Sequence, residues 1–117
     1  MRHGDHRESP MLRGEYQSAE GLTWIWTVNH GGEKDLDPPW YQVAVYMRCG
    51  DAALLSAHTT MLEEPDTRQL WCLQDDESTS FYVADDMGSG FEIHVPAVVA
   101  NELSLAILNT WERLGWR

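Results

Sequence analysis

The sequence predicts an α+β fold: a curled antiparallel meander sheet of five or six strands with one C-terminal amphipathic helix packed on one face. Short apolar runs, most of them alternating, follow one another from residue 22 to residue 95, and short turns rich in Gly, Pro and Asp separate them. After Pro96 the apolar residues recur instead at every third or fourth position. Consecutive strands joined by short turns favour an antiparallel meander, and a helix with one apolar stripe needs a sheet face to cover.

The first two strands are predicted by clear period-two alternation. In LTWIWTV, which begins at Leu22, apolar residues alternate with Thr and Ile, as in a strand with one buried face. The segment 29–39 is a loop, because it contains a Gly pair, several charges and two prolines. WYQVAVYMRC at 40–49 then keeps its apolar residues on one face, which predicts the second strand.

Residues 50–62 allow two interpretations. Gly50 and Asp51 predict a tight turn, so the second strand should return as a hairpin into ALLSAHTTML at 53–62. This run lacks clean alternation, however, and a helix is the competing interpretation.

Three shorter strands and one helix complete the chain. RQLWCLQ, SFYVAD and FEIHV are bounded by turn residues, and FEIHV ends at Pro96, which cannot donate to a sheet but fits the first turn of a helix. The helix should end near Gly115. Its apolar stripe consists of Val99, Leu103, Ala106, Ile107, Thr110 and Leu114. In topology alone, strands followed by a C-terminal helix that bears a Trp resemble pleckstrin-homology-like domains.

Residues 21–117 are predicted to form a single domain, preceded by a flexible arm at 1–20. The arm mixes Arg, His, Glu, Gly and Pro without periodicity, so it should contribute little to the core. No apolar run approaches the ~20 residues of a membrane span, and no segment resembles a signal peptide, so a cytoplasmic protein is expected. Cys49 and Cys72 fall in predicted strands, where buried free thiols are more common than a disulfide.

The net charge of −11 limits the kinds of partner. Phosphate groups are bound mainly by Lys and Arg, so this charge disfavours direct binding to nucleic acid or to an anionic membrane. An acidic protein is attracted to basic surfaces, and the attraction speeds association. The expected partner is therefore a basic protein.

The acidic residues cluster in the predicted turns. Alternate turns of an up-and-down meander lie at opposite ends of the sheet, so the turns at 31–39, 63–67 and 85–90 should share one end. Their acidic residues are predicted to bind the partner and are called the acidic pole below: Glu33, Asp35, Asp37, Glu63, Glu64, Asp66, Asp85 and Asp86. The opposite end receives Asp51, Asp75, Asp76 and Glu77. The alternative interpretation is that all of these acidic residues lie in solvated turns and serve only solubility.

No cofactor, metal or catalytic residue is predicted. Neither EKDLDPP nor DDESTS has the alternating oxygen ligands, central Gly and closing Glu of an EF-hand loop. The five His residues are scattered and form no zinc-type spacing with the two Cys residues. If a small-ligand site exists, His58, His94, Asp85 and Tyr82 are the candidates to line it, in the mouth of the curled sheet.

Some apolar residues are predicted to be exposed. Leu105 and Trp116 fall nearly in line on the helix face that also carries Asn109 and Glu112. Both are predicted to bind the partner, since aromatic anchors are enriched at interface centres, unless Trp116 tucks back onto the sheet. The second sheet face is also partly apolar, through Ile25, Tyr46, Trp71 and Tyr82. Either the sheet curls to bury both faces, or this face serves a homodimer or another binding surface.

These observations favour a small acidic inhibitor that blocks a basic, nucleic-acid-handling protein by steric and electrostatic occlusion. In size and charge the chain resembles bacterial immunity proteins, antitoxins and phage anti-defence proteins such as anti-CRISPR inhibitors. A small-ligand-binding domain or small enzyme is the second hypothesis. A homodimeric assembly component is the third.

Overall fold

The computed structural model describes residues 11–32, 39–61, 70–75, 78–84 and 90–116. Within these ranges it contains seven strands and one helix, which confirms the predicted α+β class. The elements are β1 (Met11–Gln17), β2 (Leu22–Gly31), β3 (Trp40–Cys49), β4 (Ala52–Met61), β5 (Leu70–Asp75), β6 (Ser78–Ala84), β7 (Gly90–Val95) and α1 (Ala97–Arg113).

The strands form two antiparallel sheets rather than one continuous meander. β1 to β4 follow one another in a four-stranded sheet, and β5 to β7 do so in a three-stranded sheet. β4 contacts β7, while α1 packs against β1 and β2 of the first sheet and β5 and β6 of the second. The chain between β4 and β5 is longer than the two- to five-residue loops typical of hairpins, and β5 accordingly does not pair with β4.

The prediction that residues 1–20 form a flexible arm is wrong for β1. It pairs with β2 along its whole length, from Met11 opposite Asn29 to Gln17 opposite Thr23. The strand is exposed on both faces, apart from a half-buried Gly14, so its sequence has no apolar alternation to detect. It supplies no residue to the buried core. Residues 1–10 of the predicted arm lie outside the described ranges.

The segment with two interpretations is a strand and not a helix. β4 returns along β3 after a turn at Gly50, whose φ of 59° suits glycine, so the predicted hairpin is confirmed. A register shift between Met47 and Arg48 marks an irregularity near this turn. Only Met61 of β4 is fully buried, which explains why the strand carries a weak apolar pattern.

One apolar cluster joins both sheets and the helix. Trp24, Trp26 and Val28 of β2 are buried and the residues between them are half-buried, as the alternation predicts. Tyr41 of β3 is fully buried beside the C-terminal end of α1. Its ring packs edge-on against that of Trp111, with 6.1 Å between the ring centroids. Apolar side chains buried in this way each stabilise a fold by about 1.5–3 kcal/mol, so this cluster is the main source of stability.

The helix begins and ends where its sequence predicts. It starts after Pro96, and five of the six predicted stripe residues are buried, with Leu114 half-buried. Gly115 has a φ of 80°, and its N–H donates to the Glu112 carbonyl, while the Trp116 N–H donates to the Trp111 carbonyl. This pair of bonds is the Schellman motif that ends many helices. No helix in the described ranges is long and apolar enough to cross a membrane.

Candidate functional site

All eight carboxylates of the acidic pole belong to connections outside the described residues. They lie in 33–38, 62–69 and 85–89, and the strand ends that flank these connections are described. Those strand ends therefore define where each acidic connection leaves one strand and enters the next.

Two of the acidic connections are attached to the same end of the four-stranded sheet. Gly31, the last residue of β2, pairs with Trp40, the first of β3. The next residue of β3, Tyr41, pairs with Met61, the last of β4. The connections 33–38 and 62–69 therefore both start at this end of the sheet, while the turn at Gly50 lies at the opposite end.

The third acidic connection shares an end of the three-stranded sheet with the second. Ala84, at the end of β6, pairs with Gly90, at the start of β7. Leu70, where the chain enters β5 from 62–69, pairs with Val83 beside that end. The connection 62–69 therefore joins the sheet end that bears 33–38 to the sheet end that bears 85–89.

The two apolar residues predicted on the helix face are in different surroundings. Leu105 is 62% exposed on α1. Trp116 lies beyond the end of the helix and is partly buried against the core, with its ring 5.7 Å from that of Tyr41. The prediction that the two lie in line is wrong, because the left-handed Gly115 ends the helix before Trp116.

The second apolar face is divided between the two sheets. Ile25 pairs with Tyr46 on the outer face of the four-stranded sheet, and Tyr46 is an exposed residue. Trp71 and Tyr82 occupy paired register positions in the three-stranded sheet. Ile25 and Tyr46 therefore pair in one sheet, and the register positions of Trp71 and Tyr82 lie in the other.

The histidines proposed for a ligand site line two separate hollows. His58 lines a hollow of about 260 Å³ on the outer face of the four-stranded sheet, around Ala44. His94 lines a cleft of about 430 Å³ with Tyr16, Glu20 and Trp24. Tyr82 lines neither hollow, and Asp85 lies outside the described residues. The predicted ligand set is therefore not assembled among the described residues.

The cleft beside His94 brings together polar groups that are far apart in the sequence. The His94 Nδ1 atom lies 3.2 Å from the Ser80 hydroxyl, and this hydrogen bond orients the imidazole ring. Trp24 is 6% exposed, and its indole N–H has no acceptor among the described residues. A buried donor without an acceptor is uncommon in native proteins, and the indole N–H groups of Trp26 and Trp111 are likewise buried without an acceptor among the described residues. The sequence offered no signal for this cleft, because Trp24 also fits the apolar alternation of its strand.

Both cysteines are free thiols, and both are exposed. The expectation of buried thiols is therefore wrong: Cys49 is the last residue of β3, and Cys72 lies in the edge strand β5. The Cys72 sulfur lies 3.1 Å from the Ser104 hydroxyl of α1. Within the described residues, no group of three His, Cys, Asp or Glu side chains is placed to hold a metal ion.

No family model, no curated protein and no solved structure matches this chain. The resemblance to pleckstrin-homology-like domains stays a prediction from the order of strands and helix in the sequence.

Proposed function

We propose that this protein is a small acidic binding protein that occludes a basic partner protein. The acidic connections 33–38, 62–69 and 85–89 contact the partner, and exposed apolar side chains such as Leu105 add contact area. A basic surface that normally handles nucleic acid is the fitting target, because its Lys and Arg side chains attract carboxylates in place of phosphates. Immunity proteins, antitoxins and anti-defence proteins act in this general way.

The observation that supports this proposal is the register of the strand ends. The connection 62–69 shares a sheet end with each of the other two acidic connections. Carboxylates attached at neighbouring points produce a stronger field than the same charges scattered over a surface. A field of this kind steers a basic partner and raises the association rate.

Charge reversal in the acidic pole should weaken binding and slow association. Asp35, Asp37, Glu63 and Glu64 are replaced together by lysine, and the basic partner is captured from lysate at low salt by the wild-type chain. We expect the association rate constant of the variant to be lower than that of the wild type by about 10-fold or more. We also expect wild-type binding to weaken steeply with salt, because exposed charges are screened. Surface plasmon resonance at two salt concentrations measures both effects.

The matched control reverses four exposed carboxylates elsewhere: Asp51, Glu92, Glu102 and Glu112. It changes the net charge by the same amount and leaves the acidic pole intact. The proposal requires the control to bind close to the wild-type rate. Equal losses in the two variants would show that net charge alone drives binding. If the variant with four lysines in the acidic pole associated at the wild-type rate, the role of the acidic pole would be refuted.

A second candidate function is the binding of a small ligand in the cleft beside His94. The lining of this cleft favours it, because an acidic residue, Glu20, and two aromatic residues, Tyr16 and Trp24, surround it. A ligand with a cationic group would fit this chemistry, through an ion pair with Glu20 and contact with an aromatic ring.

The cleft is tested with small amino acids and amino alcohols as probes. Ligand-detected NMR should show binding to the wild-type chain and loss of about 5-fold or more in affinity for Glu20→Gln, which keeps the shape of the side chain but lacks its charge. His58→Gln, in the other hollow, is the control and should bind normally. Equal binding by Glu20→Gln would remove the basis for this candidate.

A further inference from the structure

β1 is an edge strand of the four-stranded sheet. It pairs with β2 on one side, and no described strand pairs with its other side. Unpaired edge strands offer a row of backbone donors and acceptors to another strand, and proteins either block such edges or use them. β1 has no proline within it and no bulge in its pairing with β2.

The side chains of β1 are arranged on two distinct faces. Leu12, Gly14 and Tyr16 pair with Val28, Trp26 and Trp24, and so lie on the side of the sheet where Trp26 is buried. Leu12 and Tyr16 are nevertheless 39% and 36% exposed. Arg13 and Glu15 lie on the outer face, joined by a salt bridge of 3.1 Å.

The sequence MLRGEYQ is complementary to itself when read antiparallel about Gly14. In this register Arg13 lies opposite Glu15 of a second copy, and Glu15 lies opposite Arg13 of that copy. Leu12 likewise lies opposite Tyr16 of the second copy, which places the exposed apolar side chains together. All seven residues of the strand are paired, so no part of the edge is left open.

The neighbouring registers are less favourable. Directly opposed residues of antiparallel strands point to the same face, so the two-fold axis of a symmetric pair must pass through a residue and not between two residues. Moving the axis to the next residue shifts each opposed position by two residues. A pair centred on Arg13 places the two arginines opposite each other, and a pair centred on Glu15 does the same for the two glutamates. Like charges that are directly opposed destabilise a strand pair, so the register centred on Gly14 is selected.

We propose that two copies of this chain form a dimer through antiparallel pairing of their β1 strands, with the two-fold axis at Gly14. The two four-stranded sheets then become one sheet of eight strands. Each Arg13 contacts Glu15 of both its own and the other strand, which forms a cluster of four alternating charges. The interface is isologous, as in most protein dimers. It is separate from the acidic connections and does not depend on them.

Charge exchange at Arg13 and Glu15 tests the register. Sedimentation equilibrium is measured for the wild type, Arg13→Glu, Glu15→Arg and the double variant R13E/E15R. Each single variant opposes like charges at two places in the dimer and should raise the dissociation constant about 10-fold or more. The double variant restores opposite charges and should recover a dissociation constant close to that of the wild type. Glu92→Arg, at an exposed position of β7, is the control and should dimerise normally.

Disulfide trapping gives an independent readout. With Cys49 and Cys72 replaced by serine, the double variant L12C/Y16C should form a covalent dimer on oxidation, because directly opposed positions lie within disulfide reach. The single variant L12C is the matched control and should remain uncrosslinked, since its cysteines are four positions apart in the proposed register. A monomeric wild type would overturn the proposal. So would a dimer that tolerates Glu15→Arg, or trapping that is equal in the single and double variants.

Discussion

Replacement of Trp111 by alanine is expected to lower the free energy of unfolding by about 3–5 kcal/mol, the usual cost of truncating a buried aromatic residue. The Trp111 side chain is 1% exposed, and its ring packs edge-on against Tyr41, which also contacts Trp116. These rings attach the last turns of α1 to β3. Domains of this size are stable by about 5–15 kcal/mol, so the loss is a large part of the total. Urea denaturation followed by circular dichroism measures it.

Two companion variants isolate the role of the ring. Trp111→Phe keeps an aromatic ring and removes an indole N–H that has no acceptor among the described residues, so it should cost much less than alanine. Leu105→Ala, on the exposed face of the same helix, should change stability by about 0.5 kcal/mol or less. An alanine at 111 that cost no more than the alanine at 105 would mean that α1 is not anchored through this side chain.

Gly14→Ala is expected to destabilise the fold by about 1–3 kcal/mol, the range for overpacking a filled site. A Cβ at this position would lie 2.6 Å from the Cζ2 atom of Trp26 and against two further atoms of the same indole. Trp26 is buried in the core, so its ring cannot move aside without displacing its neighbours. The backbone of Gly14 itself is not in the left-handed region, so the indole contact is the cause.

A double-mutant cycle tests that cause. Gly14→Ala is measured in the wild-type chain and in a chain that carries Trp26→Leu, where the smaller side chain leaves room for the methyl group. We expect the alanine to cost little in the second background, which corresponds to a coupling energy of about 1–3 kcal/mol. Both measurements are made with Glu15→Arg present, so that dimerisation does not contribute to stability. Equal costs in both backgrounds would contradict the steric explanation.

The central elements were predicted from the sequence because their burial is periodic. The alternation of Trp24, Trp26 and Val28 predicts β2, and the stripe from Val99 to Thr110 predicts α1. In both cases one face of the element is buried against the core, and burial of one face imposes a local pattern that the sequence retains. The end of α1 was also predicted, because Gly115 adopts a left-handed conformation that most residues avoid.

The surroundings of the candidate residues could not be predicted from the sequence, because they depend on residues that are distant in the chain. The sequence predicted which connections are acidic, but the registers of Gly31 with Trp40 and of Tyr41 with Met61 determine which sheet end those connections share. His58 and His94 were grouped by residue type, and the structure separates them into two hollows. Residue type and spacing carry no information about which strands become neighbours across a long connection.

By itself, the sequence determined the fold class, the paths of β2, β3 and α1, and the excess of negative charge. The tertiary structure alone decided that Met11–Gln17 is a strand, that Ala52–Met61 is a strand and not a helix, and that the strands divide into two sheets. It also decided that Trp116 folds back onto Tyr41. The physical reason is the same in each case. Periodicity records how one segment is buried, whereas an edge strand, a weakly patterned strand or a terminal residue takes its conformation from partners elsewhere in the chain.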